Sequence, residues 1–110
     1  MNTDDISFDT VADETLNRLL DAIDDKLGDL LEVDMENGML TIEAASGGQY
    51  IVNKHAPNRQ IWLSSPASGA SHYNYDTAKK AWIDSRDGES LTVKLAAELS
   101  TLTATPFSLD

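Results

Sequence analysis

The chain has 110 residues, of which 41% are hydrophobic and 25% charged, a composition typical of a globular domain rather than a disordered chain. It contains no cysteine, which excludes disulfides, thiolate metal centres and cysteine nucleophiles. A net charge of −11 disfavours nucleic acid and anionic membranes as partners, and no apolar run approaches the ~20 residues of a membrane span. We expect residues 1–110 to form one domain. The N-terminus is acidic where a secretory signal or a transit peptide would be basic, so we expect either that there is no targeting segment or that this sequence omits it.

The negative charge is concentrated at one end of the sequence. Residues 1–36 hold twelve acidic and two basic residues, whereas the other 74 residues hold seven acidic and six basic ones. Local charge of this density costs self-repulsion that solubility alone does not require. Two interpretations stay open: a solvated helix face, or a functional acidic ridge that binds cations or a basic partner.

The first predicted element is an amphipathic helix over residues 8–27, where apolar residues recur at three- and four-residue steps. Ser7 is the predicted N-cap, and Gly28 the predicted stop. Five acidic residues lie opposite or beside the apolar stripe: Asp13, Glu14, Asp21, Asp24 and Asp25.

Short strands follow, because apolar and polar residues alternate between turn signals. Residues 31–35 alternate in this way, with Glu32 and Asp34 on one side, and Asn37-Gly38 predicts a two-residue hairpin turn. A loop is predicted over residues 64–69. The further predicted strands cover residues 39–43, 49–53, 59–63, 72–75 and 81–83.

A second helix is predicted after Ser90, with Leu91, Leu95, Leu99 and Leu102 on one face. The order helix, antiparallel strands, helix predicts an α+β fold, a two-layer α-β sandwich with both helices on one face of the sheet. We expect these residues to be buried: Leu16, Leu20, Ile23, Leu27, Leu91, Leu95 and Leu99.

Trp62 stands between Ile61 and Leu63 on a predicted strand, so its side chain points away from both. If Ile61 and Leu63 face the helices, Trp62 lies on the open face of the sheet. There it would have the composition of a binding hot spot, one large anchor among polar groups. The alternative is that Trp62 belongs to the core.

Residues 50–66, with Ser68-Gly69 after them, resemble the frataxin family through their Asn-Lys, Pro-Asn-Arg-Gln-Ile-Trp-Leu and Ser-Ser-Pro patterns. The resemblance covers nearly the whole chain, and the Ser-Ser-Pro-x-Ser-Gly continuation is more similar to mitochondrial than to bacterial frataxins. It implies a sheet exposed on one face and a location in the mitochondrial matrix.

The resemblance also implies a role in iron–sulfur cluster assembly, with a cysteine desulfurase and an iron–sulfur scaffold protein as partners and stimulation of sulfur transfer. It implies weak binding of iron (Fe²⁺ or Fe³⁺) at exposed carboxylates, with a monomer that iron could drive into oligomers. The implied metal ligands are Asp13, Glu14, Asp21, Asp24, Asp25, Glu32 and Asp34. The implied partner-binding residues are Asn53, Lys54, Asn58, Arg59, Gln60, Trp62 and His72.

This sequence departs from the family pattern at several positions. Asn17 replaces a residue that is often acidic, His72 a common arginine and Tyr75 a common tryptophan, and the connection from Tyr75 to Trp82 is longer than usual. No nucleophile-elbow or phosphate-loop motif occurs, and both histidines, His55 and His72, are interpreted as surface residues. Three hypotheses remain: a non-catalytic activator of the desulfurase, an iron-storage protein or ferroxidase, and an acidic interaction module without a metal role.

Overall fold

The structure, a computed structural model, describes residues 3–45 and 47–109, with side chains from residue 8 onward. A long helix α1 precedes the strands and a shorter helix α2 follows them, with one 3₁₀ turn, Ala56–Asn58, between β3 and β4. The helices are α1 (Thr3–Leu27) and α2 (Leu91–Thr103). The strands are β1 (Leu31–Glu36), β2 (Met39–Ala44), β3 (Gln49–His55), β4 (Gln60–Ser65), β5 (Gly69–Asp76) and β6 (Ala81–Asp84).

In the described part of the chain, six strands form one antiparallel sheet in the sequential order β1 to β6. The first hairpin has the predicted two-residue turn, because Glu36 pairs with Met39 across Asn37 and Gly38. Both turn residues have positive φ angles, 50° and 77°, as a type I′ turn requires. This turn fixes the register of β1 against β2, and with it which residues share a face.

Both helices cover one face of the sheet, as predicted, and the core lies between the layers. α1 buries Ala12, Leu16, Leu19, Ile23 and Leu27, and α2 buries Leu91, Leu95, Ala96 and Leu99. The sheet contributes Leu31, Leu40, Ile42, Tyr50, Val52, Ile61, Leu63, Tyr73 and Trp82. Fully burying one such large apolar side chain contributes roughly 1.5–3 kcal/mol, so this layer is the main source of stability.

Several local predictions are wrong. Ser7 lies inside α1 rather than at its N-cap, because the helix starts at Thr3. Leu20 is half-buried rather than buried.

The predicted loop over residues 64–69 is also shorter than expected. Ser64 and Ser65 extend β4, and Gly69 begins β5. Ser65 is buried because its hydroxyl donates to Oε1 of Glu98 on α2. Tyr50 and Ser68 donate to the same carboxylate, over 3.1 and 2.8 Å. The hydroxyl groups at this end of the sheet therefore find their hydrogen-bond acceptor in the Glu98 carboxylate of α2.

Within the described residues, neither helix combines the length and the apolar character that crossing a bilayer requires.

Candidate functional site

Trp62 lies on the open face of the sheet, the face that the helices leave uncovered. Its strand neighbours Ile61 and Leu63 are buried beneath the helices, and Trp62 points the other way and is half-buried. The alternation of side chains along β4 therefore places the indole as the sequence predicts.

Two histidines flank the indole of Trp62. The His55 ring stacks on it with a centroid separation of 3.8 Å and an interplanar angle of 9°. The His72 ring lies at 4.5 Å and is tilted by 36°. These contacts explain why an open-face tryptophan is only half exposed, and they restrict the orientation of its ring.

Hydrogen bonds within the sheet also hold this cluster in place. The indole Nε1–H of Trp62 donates to Oε1 of Gln60 over 2.9 Å, and Nε2 of Gln60 donates to Oδ1 of Asn74 over 3.2 Å. The polar atom of the indole is thus used within the sheet, and the ring offers a partner its apolar surface. Nδ1 of His55 is buried and has no hydrogen-bond partner in the described part of the chain.

The register of three strands assembles this cluster. Trp62 pairs directly with Asn53 on β3 and with His72 on β5, and His55 pairs with Gln60 one step along the same face. Sequence reasoning treated His55 as a surface residue outside the site. The signal that identifies it is its two-residue spacing from Asn53 on β3, because residues i and i+2 share a face.

Apart from Lys54, the other predicted partner-binding residues lie on the open face or in the turn before β4. Asn53, Gln60 and His72 lie on the open face beside the indole. Asn58 and Arg59 are exposed in the turn between β3 and β4. Arg59 adopts a left-handed conformation there, with φ 52°.

Lys54 is placed on the other side of the sheet, away from Trp62. Its Nζ lies 3.0 Å from Oδ1 of Asp13 and 3.5 Å from Oδ1 of Asp9, both on α1. The hydrogen bond to Asp13 raises the pKa of the Lys54 ammonium, although partial burial opposes it. Lys54 therefore ties β3 to α1, and Asp13, one of the predicted metal ligands, is ion-paired.

The remaining predicted metal ligands form an exposed acidic ridge along α1 and the adjacent edge strand. Glu14, Asp21, Asp24 and Asp25 are exposed on α1, and Glu32 and Asp34 are exposed on the open face of β1. Asp24, Glu32 and Asp34 line one shallow depression at the edge of the sheet, with Glu43 of β2.

Sequence reasoning missed Glu43. It lies directly opposite Glu32 in the hairpin, so two like charges face one another. The Asn37-Gly38 turn carries the signal, because a two-residue turn pairs Glu36 with Met39 and so places residue 43 opposite residue 32.

The donor set of the ridge suits hard cations such as Fe²⁺, Fe³⁺, Mg²⁺ or Ca²⁺, which prefer carboxylate oxygens. Among the described residues, however, no group of three His, Asp or Glu side chains is arranged to hold a metal ion. The described carboxylates of the ridge are thus exposed on the surface and not gathered around one point.

A two-layer α+β sandwich with a tryptophan on its open face and an acidic ridge at one edge defines a frataxin-like domain. The family model described as "Frataxin-like domain" matches residues 1–105. The chain therefore belongs to the frataxin family.

The chain is similar to both mitochondrial and bacterial relatives. It is 48% identical to "Frataxin, mitochondrial" of Dictyostelium discoideum over 71 residues, and this aligned region covers 64% of this chain and 37% of that protein. It is 44% identical over 98 residues to "Iron-sulfur cluster assembly protein CyaY" of Thioalkalivibrio sulfidiphilus, which covers 87% of this chain and 90% of that protein. The chain thus spans little more than a third of the Dictyostelium protein but nearly the whole bacterial one.

Solved structures share the fold. A frataxin from Psychromonas ingrahamii superimposes with a TM-score of 0.86 at 25% identity, covering 100% of this chain and 99% of that one. A trimeric frataxin from Saccharomyces cerevisiae, complexed with ferrous iron, superimposes with a TM-score of 0.77 at 32% identity, covering 86% of this chain and 87% of that one.

Proposed function

We propose that this protein acts in iron–sulfur cluster assembly as a non-catalytic activator of a cysteine desulfurase bound to its scaffold protein. The open face around Trp62 contacts that complex, and the acidic ridge carries iron weakly and contributes charge to docking. The names of the relatives, which include iron–sulfur cluster assembly proteins, support the process, and the partners are part of the proposal.

The observation that carries the proposal is the stacked arrangement of Trp62 between His55 and His72. A large aromatic ring that is already held in one orientation loses little conformational freedom on binding, which favours its use as an anchor. Nearby amide side chains, Asn53 and Gln60, supply the polar surroundings that such anchors have.

The experiment is a sulfide-production assay with a reconstituted desulfurase–scaffold complex, measured with and without this protein and with and without Fe²⁺. We expect the protein to raise the rate of sulfide release. An unchanged rate in both iron conditions would contradict activation.

Trp62→Ala tests which surface carries the effect. Truncating a hot-spot anchor costs about 2 kcal/mol or more in binding, so affinity for the complex should fall at least about thirtyfold. Iron binding should be unchanged. The matched control is Ile51→Ala, another half-buried side chain on the open face but opposite Ser64 rather than beside the indole. Normal activation by a folded Trp62→Ala protein would overturn the assignment of this face.

A second candidate, an iron-storage protein or ferroxidase, is favoured by the exposed ridge carboxylates and by the iron-complexed trimer among the similar structures. The triple substitution of Asp21, Asp24 and Asp25 by Asn separates the two functions. For the activator, it should remove most iron binding and weaken docking only in part, so that iron-free activation returns at a higher concentration of the variant. Iron-dependent assembly into trimers or larger species, measured by light scattering and lost in the triple variant, would favour storage instead.

The third hypothesis is an acidic interaction module without a metal role. It predicts that the wild-type protein and the triple Asn variant have the same, negligible affinity for Fe²⁺ in calorimetry.

For location, we propose the mitochondrial matrix, supported by the mitochondrial relatives; bacterial relatives of similar identity make cytoplasm the alternative. Fluorescent tagging of the protein in its native cell decides between them.

A further inference from the structure

A cavity of about 400 Å³ lies on the helix side of the molecule, remote from the face that carries Trp62. Four segments line it: the first half of α1, the connection from β5 to β6, the start of α2 and Leu109 in the C-terminal tail. Its volume is within the roughly 300–1,000 Å³ that is typical of small-molecule sites.

Three cationic side chains line this cavity: Arg18 from α1, and Lys79 and Lys80 from the β5–β6 connection. They are three of the eight lysines and arginines in a protein of net charge −11. Among the described residues, no ion pair involves Arg18, Lys79 or Lys80, so none of the three is neutralised by a paired carboxylate. Glu14 is the one carboxylate that the lining contains, which leaves the cavity with a positive balance.

The turn that carries the two lysines has a defined conformation. Oδ1 of Asp76 accepts the backbone N–H groups of Ala78 and Lys79 over 2.9 and 3.0 Å. Lys80 adopts a left-handed conformation with φ 52°. The turn thus holds the two lysines next to one another in a fixed backbone conformation.

Aromatic side chains also line the cavity. Tyr75 and Trp82 both contribute, with their ring centroids 5.2 Å apart. Trp82 is almost fully buried and its indole N–H is bonded to Thr15, whereas Tyr75 is half-buried. The lining therefore combines cationic side chains with aromatic rings, of which Tyr75 is the more accessible.

We propose that this cavity binds a small organic anion in which a phosphate or carboxylate group adjoins a flat apolar part. The anionic group would lie among Lys79, Lys80 and Arg18, and the apolar part against Tyr75. The site is independent of the desulfurase-binding face, because the two lie on opposite sides of the sheet.

The experiment is an NMR titration of the full chain with phenyl phosphate, read from the two indole N–H signals. We expect a saturable shift of the Trp82 signal and none of the Trp62 signal. Phenol, which has the same ring without the charge, should leave both signals in place. The absence of a Trp82 shift with phenyl phosphate, or an equal shift with phenol, would overturn the proposal.

Charge variants test the cationic side chains. Lys79→Gln combined with Lys80→Gln should weaken phenyl phosphate binding by roughly fivefold, because each exposed charge contact contributes modestly. Lys26→Gln removes an exposed lysine of α1 that does not line the cavity and should not change the affinity. If the double variant alters the turn, Arg18→Gln removes a charge that α1 contributes to the cavity. Wild-type affinity in both the double variant and Arg18→Gln would contradict the cationic site.

Discussion

The two tryptophans of this protein lie on opposite faces of one sheet and make opposite kinds of contact. Trp82 is 4% exposed beneath α1, where its indole N–H donates to Thr15 over 2.9 Å and the Phe8 ring packs edge-on against it. Trp62 is half-buried on the open face, and its N–H donates to Gln60 on its own strand. Trp82 therefore joins the two layers, whereas Trp62 is held by the sheet alone.

This difference shows how one residue type takes two roles in the same fold. The contacts of Trp82 reach α1 across 67 residues of sequence, so removing them weakens the packing of the layers. The contacts of Trp62 stay within the sheet and leave one side of the ring cluster accessible to a partner. We therefore expect the covered face to govern stability and the open face to govern binding.

The largest expected effect is that of Trp82→Ala. Truncating a buried tryptophan leaves a cavity and typically costs about 3–5 kcal/mol, and here Thr15 also loses a hydrogen-bond donor. Trp62→Ala should cost about 1 kcal/mol, the order of an aromatic pair contribution at a partly exposed site. Urea denaturation of the two variants measures both values. Equal losses would erase the distinction between the faces.

The next effect concerns a hydroxyl on the covered face. Tyr73 is fully buried, and burial, together with the nearby carboxylates of Asp84, Glu89 and Asp87, raises its pKa from 10.0 to about 12. Burial likewise raises the pKa of Tyr50, with Glu98 adding to the shift. The folded state thus keeps these protons at a pH where the unfolded chain has released them.

Stability should therefore be constant with respect to Tyr73 below about pH 10 and fall as the pH rises from 10 towards 12. The loss from Tyr73 alone is about 1.4 kcal/mol by pH 11, because one unit of pKa corresponds to ~1.36 kcal/mol. Urea denaturation at pH 9, 10 and 11 measures it. Tyr73→Phe should show a smaller decrease over this range, and an identical decrease would assign the alkaline loss to other groups.

The local pattern of the sequence was sufficient for the order of elements, the helix-covered sheet and the orientation of Trp62. Alternation and a two-residue turn depend only on residues close in sequence, so they predict local structure without knowledge of the tertiary contacts. The contacts that it could not supply join distant segments. The hydrogen bond from Lys54 to Asp13 joins residues 41 positions apart, and the one from Ser65 to Glu98 joins residues 33 apart. Both depend on how the helices pack against the sheet.

The site shows the same division. Trp62 was predictable from its strand, but the stack that orients it required the register of β3, β4 and β5 together. Lys54 was assigned to the partner-binding residues by the family resemblance, and the alternation within β3 directs its side chain to α1 rather than to the open face. Adjacent residues on a strand face opposite ways, so Lys54 and its neighbour Asn53 belong to different faces of the sheet.

An effect comparable to that of Tyr73 is expected at the C-terminal tail, which extends the covered face. Phe107 and Leu109 are half-buried against the core, as their apolar character predicts. Ser100 Oγ donates to the Phe107 carbonyl and accepts its N–H, each over 3.0 Å. Deleting residues 106–110 removes two partly buried side chains, a loss of at least about 1.5 kcal/mol if half of each is counted.

That loss should lower the melting temperature by roughly 5–10 °C for a domain of this size. Calorimetry of the truncated chain measures it. Ser100→Ala is the matched control, since it removes the two hydrogen bonds but keeps the apolar side chains, and it should cause a smaller decrease. An unchanged melting temperature after truncation would mean that the tail does not contribute to the covered face.

The smallest expected effect is at the acidic ridge, which borders both faces and belongs to neither. Asp21 and Asp25 are exposed one helical turn apart, and like charges at this spacing cost about 0.2–0.5 kcal/mol per pair. Moderate salt or a divalent cation should relieve that repulsion and raise the melting temperature by about 1–2 °C. Asp21→Asn should raise it in low salt and reduce the response to salt. Asp87→Asn, outside the ridge, controls for the loss of one charge. If neither salt nor Asp21→Asn stabilises the protein, the ridge carboxylates are not repelling one another, and their density cannot be explained by a cation that relieves strain.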